Sequence, residues 1–436
     1  MSEIPATPAS DPLGNDHYLR AVTAMAQTHE VVAHGAIYSE SGIKLIDKGT
    51  RIDGRLHERL VRHKLREPVD AHLTVANAVT PAALLAQAEQ LLQTAWLPQL
   101  LAQALGGSAR LLAPLKALSL TPGIAFKLTV MREQMPDLLV HSLEVMLTAQ
   151  YLALASQMPE AACNRLAVAA LLHDLGVLHM DPVWRDPNHQ VTGTERSHLV
   201  VHPITAMMVV RDAGVYGRAV ETAVLEHHER MDGTGYPRGL AGDQISALGQ
   251  VLLLAEVVAA IAEKYAHDAV SQLSLVLRLN RRKFPPQLTQ HTLALLNGAD
   301  NADSTPTAPP KEQLQALIHQ LQQAFDQWQA AKAACHLPDD LAQHSGPMAF
   351  VQERLRSLEH TLIGAGMRSG DLEHLQDDAV GLSELSFVVR EALWQLTSIV
   401  NGCERRWPTE LQAQTDPQAV AAAQWCQWVR DMARAA

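Results

Sequence analysis

The chain has 436 residues and a formal net charge of −11 with His neutral, which excludes the broad basic surface that nucleic-acid binding needs. Hydrophobic residues make up 47% and aromatics only 4%, so the cores are built mainly from Leu, Ala and Val and the fold class predicted is mainly α. The four cysteines, Cys163, Cys335, Cys403 and Cys426, have neither pairing nor zinc-type spacing, which excludes a disulfide framework and fits free thiols in a cytoplasmic protein.

The length allows two or three domains. Residues 1–16 are polar and lack an apolar segment, so a disordered tail is predicted rather than a signal peptide. Residues 26–80 form a small N-terminal module. Its β-branched residues, punctuated by Gly35, Gly42 and Gly49, predict short strands with a hairpin at Ser39–Gly42. A helix over about Arg55–His63 follows. Residues 81–125, rich in Ala, Leu and Gln up to Leu118, read as a helical connector. Residues 126–298 form the central region. Its most apolar stretches, near 166–172 and 251–262, are too short for a bilayer span, and the second contains Glu256. No membrane insertion is expected. Residues 299–311 are polar and Pro-rich, which predicts a linker.

Residues 312–436 are helical again. Leu314, Leu317, Ile318, Leu321, Phe325 and Trp328 mark one apolar face, and Leu385, Val388, Val389, Ala392, Leu396 and Ile399 a second. With helices near 347–363 and 416–434 they predict a C-terminal helical bundle. Trp394, Trp407, Trp425 and Trp428 fit core or interface positions. No chemistry-bearing motif falls in this region, which suits dimerisation or partner docking.

Metal-ligand side chains recur through the centre: His141, His173–Asp174, His202, His227–His228 and Glu256. From each to the next (141→173, 174→202, 202→227, 228→256) the steps are 32, 28, 25 and 28 residues. That is about one helix plus one loop per step, so successive antiparallel helices can each present a donor at one end of a bundle. Imidazole and carboxylate together suit Fe, Mn or Zn. Each piece has an ordinary alternative. Asp174, ending the apolar run LAVAALL, needs a compensating partner, which either a metal or an ordinary C-terminal salt bridge would supply; Gly176 reads as the cap that closes this helix. His141 opens an amphipathic helix, where a lone His is usually a surface residue. His202 precedes Pro203 at a helix start. Adjacent His227 and His228 point about 100° apart on a helix, so they suit different metals. His179, His189 and His198 lie between motifs in a loop and read as surface residues.

The His pair continues as HHERMDGTGYP, His227 to Pro237. This run resembles the HHExxDGxGYP signature of the HD-GYP family, a branch of the HD-domain metal-dependent phosphohydrolases, and it lies downstream of LLHDLG and His202-Pro203 in that family's order. The resemblance implies hydrolysis of cyclic di-GMP, a bacterial second messenger, at a centre of two or three divalent transition metals, Fe or Mn. It implies His173 and Asp174 as the central catalytic pair, with Asp174 bridging two ions. The metal ligands would be His141, His173, Asp174, His202, His227, His228 and Glu256, with Asp137 as a further ligand in some members. The loop Asp232, Gly233, Gly235, Tyr236 and Pro237 would shape the substrate pocket or contact partners such as GGDEF-domain proteins; by itself it is a rigid turn.

Three positions depart from the family pattern. Many members have Lys after HDxG, where this chain has Val177. The final metal-binding Asp falls at Glu256, and the next Asp of that motif is Ala259. The basic stretch beyond it is reduced to AEKYAHD, leaving Arg238 and Lys264 as the nearest candidate substrate cations. The alternative to an enzyme is therefore a catalytically weak HD-GYP scaffold that binds partners or senses a cyclic dinucleotide.

Overall fold

The computed structural model describes residues 15–53, 56, 60, 62–185, 195, 198–265, 269–298, 310–336, 345–364, 379–413 and 416–435. The tail at 1–14, most of the helix expected near 55–63, His189, and the linker at 299–309 lie outside them. The fold is mainly α, as the composition predicts. The chain divides into two compact units, 1–263 with 284–298, and 264–283 with 299–436.

The first unit opens with helix α1, Asn15–Thr28, whose buried Tyr18, Leu19, Val22, Met25 and Ala26 follow helical spacing. Two antiparallel strand pairs follow. β1 (Val31–Ala33) pairs with β4 (Leu73–Val75), placing Val31 opposite Val75. β2 (Ile37–Tyr38) pairs with β3 (Lys44–Ile46), joined by the expected turn, in which Gly42 N–H donates to the Ser39 carbonyl at 2.9 Å. The β1–β4 pairing was not foreseen, because LTV is too short a run to stand out as a strand.

Helices α2 (Pro81–Thr94), α3 (Trp96–Ala104) and α4 (Ala109–Lys116) make up the connector. α2 and α5 (Pro122–Gln134) start alike: Pro at the first turn and a capping threonine, Thr80 or Thr121, whose hydroxyl accepts the amide three residues on. Then come α6 (Pro136–Ala155), α7 (Glu160–Leu172), α8 (His202–Asp212), α9 (Arg218–Glu226), α10 (Ala247–Lys264) and, after an excursion of the chain, α12 (Pro286–Asn297). α6 is buried on nearly every face and packs on α7. The segments Pro136–Ala155 and Glu160–His179 are long and apolar enough to cross a membrane, contrary to the expectation that no stretch is; 72% of each window is buried inside the fold, as core helices are.

The second unit holds α11 (Ala269–Leu279), α13 (Lys311–Ala334), α14 (Pro347–Gly364), α15 (Ala379–Arg406), α16 (Pro408–Ala413) and α17 (Pro417–Ala435). Both apolar faces read from the sequence meet in its core, where Trp328 and Trp425 pack edge to face at 5.3 Å. Of the other tryptophans, Trp407 and Trp428 pack at the rim of that core, while Trp394 is 56% exposed.

α11 corrects a single boundary at 298. It packs on α15, Leu279 belongs to the second unit's core, and Asn280 Nδ2 donates to Glu391 Oε1 at 2.6 Å. A chain cut after Gly298 is therefore expected to keep its metal content but to self-associate, because Leu275 and Leu279 lose their cover. Light scattering alongside metal analysis checks this; loss of metal on truncation would show that the first unit depends on the second.

Candidate metal centre

Helices α6 to α10 each deliver donors to one place. His141 lies in the second turn of α6, four residues past Asp137 at the polar entry of a buried helix. α7 ends at Leu172, so His173 and Asp174 leave the apolar run as the helix stops. Gly176 does not close α7 as a left-handed cap. It sits in the short turn Leu175–His179, where an added Cβ would lie 2.1 Å from the His202 carbonyl oxygen. Only glycine lets that turn press against the start of α8, and this contact brings Asp174 to His202. His202 opens α8 ahead of Pro203. His227–His228 follow the last residue of α9, and Glu256 projects from the middle of α10.

The donors gather into two groups, each with its atoms within 4.8 Å of one another: Asp174, His202, His227 and His228, and then His141, His173 and Glu256. Both members of the His pair fall in the first group, so their divergence along the chain does not split them between groups. Asp174 touches both sets. Its Oδ1 lies 3.4 Å from His202 Nε2 and 3.6 Å from His227 Nε2, while its Oδ2 lies 3.5 Å from His173 Nε2. Glu256 Oε2 lies 3.0 Å from His141 Nε2 and 3.2 Å from His173 Nε2.

Three imidazoles are oriented from behind. The Nδ1 atoms of His173, His202 and His227 face the carbonyls three residues earlier, of Ala170, Leu199 and Val224, at 2.7, 2.7 and 2.6 Å. A proton held at Nδ1 by such a carbonyl leaves the Nε2 lone pair for a cation. His173 Nε2 and Asp174 Oδ1 are buried without a hydrogen-bond partner. Buried polar atoms of this kind need a compensating group, and a divalent cation fits the set of five imidazoles and two carboxylates.

The electrostatics separate the two donor groups. Burial, reinforced by His173 and His202, takes the His227 pKa down to about 3, and burial with His227 holds His228 well below the ordinary value. Burial also lowers His202, more than Asp174 raises it. Burial opposes charge on Glu256 and Asp174, yet His141 overcomes it for Glu256 and His173 with His202 for Asp174, so both carboxyls sit below their usual values. Burial likewise opposes protonation of His141 and His173, but Glu256 and Asp174 respectively draw both upward. Charged carboxylates beside neutral His202, His227 and His228 are the protonation state that metal binding requires, whereas His141 and His173 would release a proton on binding an ion.

The other sequence candidates lie as follows. Asp137 is exposed on the first turn of α6 and joins neither donor group. Val177 is buried, 7% exposed, in the turn after Asp174. The guanidinium of Arg238 is held by Glu226 Oε1 at 2.5 Å. Lys264, the last residue of α10, lies 5.1 Å over the Tyr265 ring. His179 is not a loop surface residue: it stacks on Tyr18 at 4.8 Å. In the GYP loop, Asp232 Oδ1 accepts both the amide and hydroxyl of Thr234, and Tyr236 N–H donates to the His228 carbonyl at 3.0 Å. The Tyr236 ring then lies 4.7 Å from that of His228 and walls that side of the site.

Three further carboxylates support the centre, among them Glu229, the Glu of the HHExxDGxGYP run, to which the sequence alone assigns no role. Glu263 Oε2 lies 3.3 Å from His141 Nδ1. Glu229, fully buried, accepts the amides of Arg238 and Leu240 at 2.8 and 2.9 Å. Glu226, also buried, holds Arg238 and Ser246. For Glu226 a signal existed: a carboxylate that ends a helix whose Val220, Ala223 and Val224 are apolar.

Residues 99–282 match the HD domain family, so the donor-bearing helices belong to the HD class of metal-binding folds. With the HHExxDGxGYP run present, the chain contains an HD domain of the HD-GYP type. It is similar to a cyclic di-GMP phosphodiesterase, PA4108, of Pseudomonas aeruginosa, 34% identical over 31% of this chain and 33% of that one. It is similar to the 3'3'-cGAMP-specific phosphodiesterase 3 of Vibrio cholerae, 26% identical over 30% and 29% of the two chains. The cyclic di-GMP phosphodiesterase response regulator RpfG of Xanthomonas campestris pv. campestris is 30% identical over 30% of this chain and 36% of its own. The chain thus spans about a third of the length of the curated relatives it matches.

Proposed function

We propose that the chain is a metal-dependent phosphodiesterase that hydrolyses cyclic di-GMP or a related cyclic dinucleotide. The observation that carries this reading is Asp174, whose two oxygens face two different donor groups. His202, His227 and His228 would hold one divalent ion, His141, His173 and Glu256 a second, and Asp174 would join them; Fe or Mn suits this nitrogen and oxygen set. When bound, such a pair polarises phosphoryl oxygens and makes water a competent nucleophile near neutral pH. The chain's own groups prepare for this. Carbonyls at Ala170, Leu199 and Val224 keep protons on Nδ1 and so keep Nε2 available. Tyr236 fixes one wall beside His228. The names of the relatives support a cyclic dinucleotide as substrate. Four free cysteines support a reducing, cytoplasmic setting, and the second unit is assigned to partner docking, with GGDEF-domain proteins or a second copy as occupants.

The test is full-length protein loaded with Mn or Fe and incubated with cyclic di-GMP and with 3'3'-cGAMP. Metal-dependent release of linear dinucleotide or mononucleotide is expected. Two bound ions with no turnover of either nucleotide would sink the enzyme and leave the scaffold. One observation favours that second reading: Val177 is apolar and buried where many family members have Lys, and Arg238 is tied to Glu226. Val177→Lys is accordingly expected to raise kcat/KM by about 10²-fold, the scale of restoring one preorganised cation. An unchanged kcat/KM at unchanged metal content would show that the pocket differs by more than this side chain.

A further inference from the structure

Glu226 lies in neither donor group, yet three parts of the centre meet on its carboxylate. It is the last residue of α9, directly before His227. Its Oε1 accepts the Arg238 guanidinium at 2.5 Å, just past Tyr236–Pro237. Its Oε2 accepts the Ser246 amide at 2.9 Å and the Ser246 hydroxyl at 2.6 Å. Ser246 in turn caps α10, its Oγ accepting the Gly249 amide at 3.1 Å, and α10 carries Glu256. α10 approaches so closely that a Cβ on Gly249 would lie 2.4 Å from Glu226 Oε2. Among these contacts Glu226 is the acceptor at every one, so a neutral amide in its place would set its own N–H groups against donors.

We infer that Glu226 is the positioning residue that sets the spacing between the His227–His228 pair and Glu256, and so between the two metal positions. The inference rests on the two-metal reading above. It explains why a buried carboxylate and a chargeable loop residue are placed behind the ligands rather than among them. Outer groups that orient ligands act in this way, and their loss typically weakens metal binding about 10–100-fold. The effect should be uneven. A spacing error leaves the first ion with its own imidazoles and Asp174, and disfavours joint occupancy.

Mn(II) titration of full-length, metal-stripped protein reads this directly, because a bridged Mn pair gives an exchange-coupled spectrum and a single Mn a mononuclear one. In Glu226→Gln the first ion is expected to bind as in wild type. The second should bind about 10–100-fold more weakly, with the coupled signal replaced by a mononuclear one. Gly249→Ala leaves the carboxylate in place but pushes it off its partners, and should reproduce the effect; it carries the test if Glu226→Gln does not fold. Wild-type coupled spectra in both variants would overturn the inference. So would equal weakening of both ions together with a lowered melting temperature of the metal-free protein, since that is loss of fold and not of spacing. A wild-type protein that binds no coupled pair would overturn the two-metal reading, and the inference with it.

Discussion

Asp174→Asn is expected to reduce bound metal from about two ions per chain to about one, and to lower hydrolysis by about 10³-fold or more. Asn keeps the size of the side chain but removes its charge and replaces one ligating oxygen with an NH2 that cannot ligate. Both oxygens of Asp174 are engaged, one toward His202 and His227 and the other toward His173. No orientation of the amide serves both. A bridged ion pair contributes several kcal/mol of transition-state stabilisation, and about 4 kcal/mol corresponds to about 10³ in rate. Metal analysis with progress curves for cyclic di-GMP checks both halves. Glu256→Gln is the comparison: it touches only the group of His141 and His173, so it should spare the other ion. A variant of Asp174 that still carries two ions would show that this carboxylate does not join them.

Much of this centre was legible in the sequence because five of the seven candidate ligands lie where a helix ends or opens, and helix length sets the spacing. His173–Asp174 after LAVAALL and His202 before Pro203 mark such ends, and the structure brings all seven donors together. What stayed hidden was tertiary. Gly176 resembles a helix cap in one dimension, but its role is the close approach to His202, which no local pattern announces. The grouping of His227 with His228 depends on where α8 and α10 lie, not on the helical angle between neighbours. α11 has the same Leu-rich pattern as its neighbours in sequence, and nothing local says that it leaves them for α15. Proximity in sequence is a weak guide to substrate cations. Arg238 turned out to be occupied, because a buried Glu226 twelve residues earlier competes for it.

Lys127→Met is expected to lower the melting temperature of the first unit by about 6–20 °C, while Asp70→Asn with Lys127→Met together should restore most of the loss. Lys127 on α5 and Asp70, just before β4, meet at 2.9 Å with side-chain exposures of 7% and 9%. Lys127 Nζ also lies 4.0 Å over the Tyr18 ring. Two charges this far from water are sustained by each other. Removing one strands the other, which costs about 3–5 kcal/mol, whereas replacing both is often close to neutral. For a unit of this size each kcal/mol moves the melting temperature by roughly 2–4 °C. The position makes the pair matter for the centre. Tyr18 stacks on His179, which ends the turn that Asp174 begins, and α5 leads directly into the helix of His141. The single variant should therefore also loosen metal binding, and the double variant should recover it. Thermal melts of the metal-free protein, read as a double-mutant cycle, give the coupling. A single variant that melts within a degree or two of wild type would show that water reaches the stranded carboxylate, and that this network does not hold the N-terminal module to the metal-bearing helices.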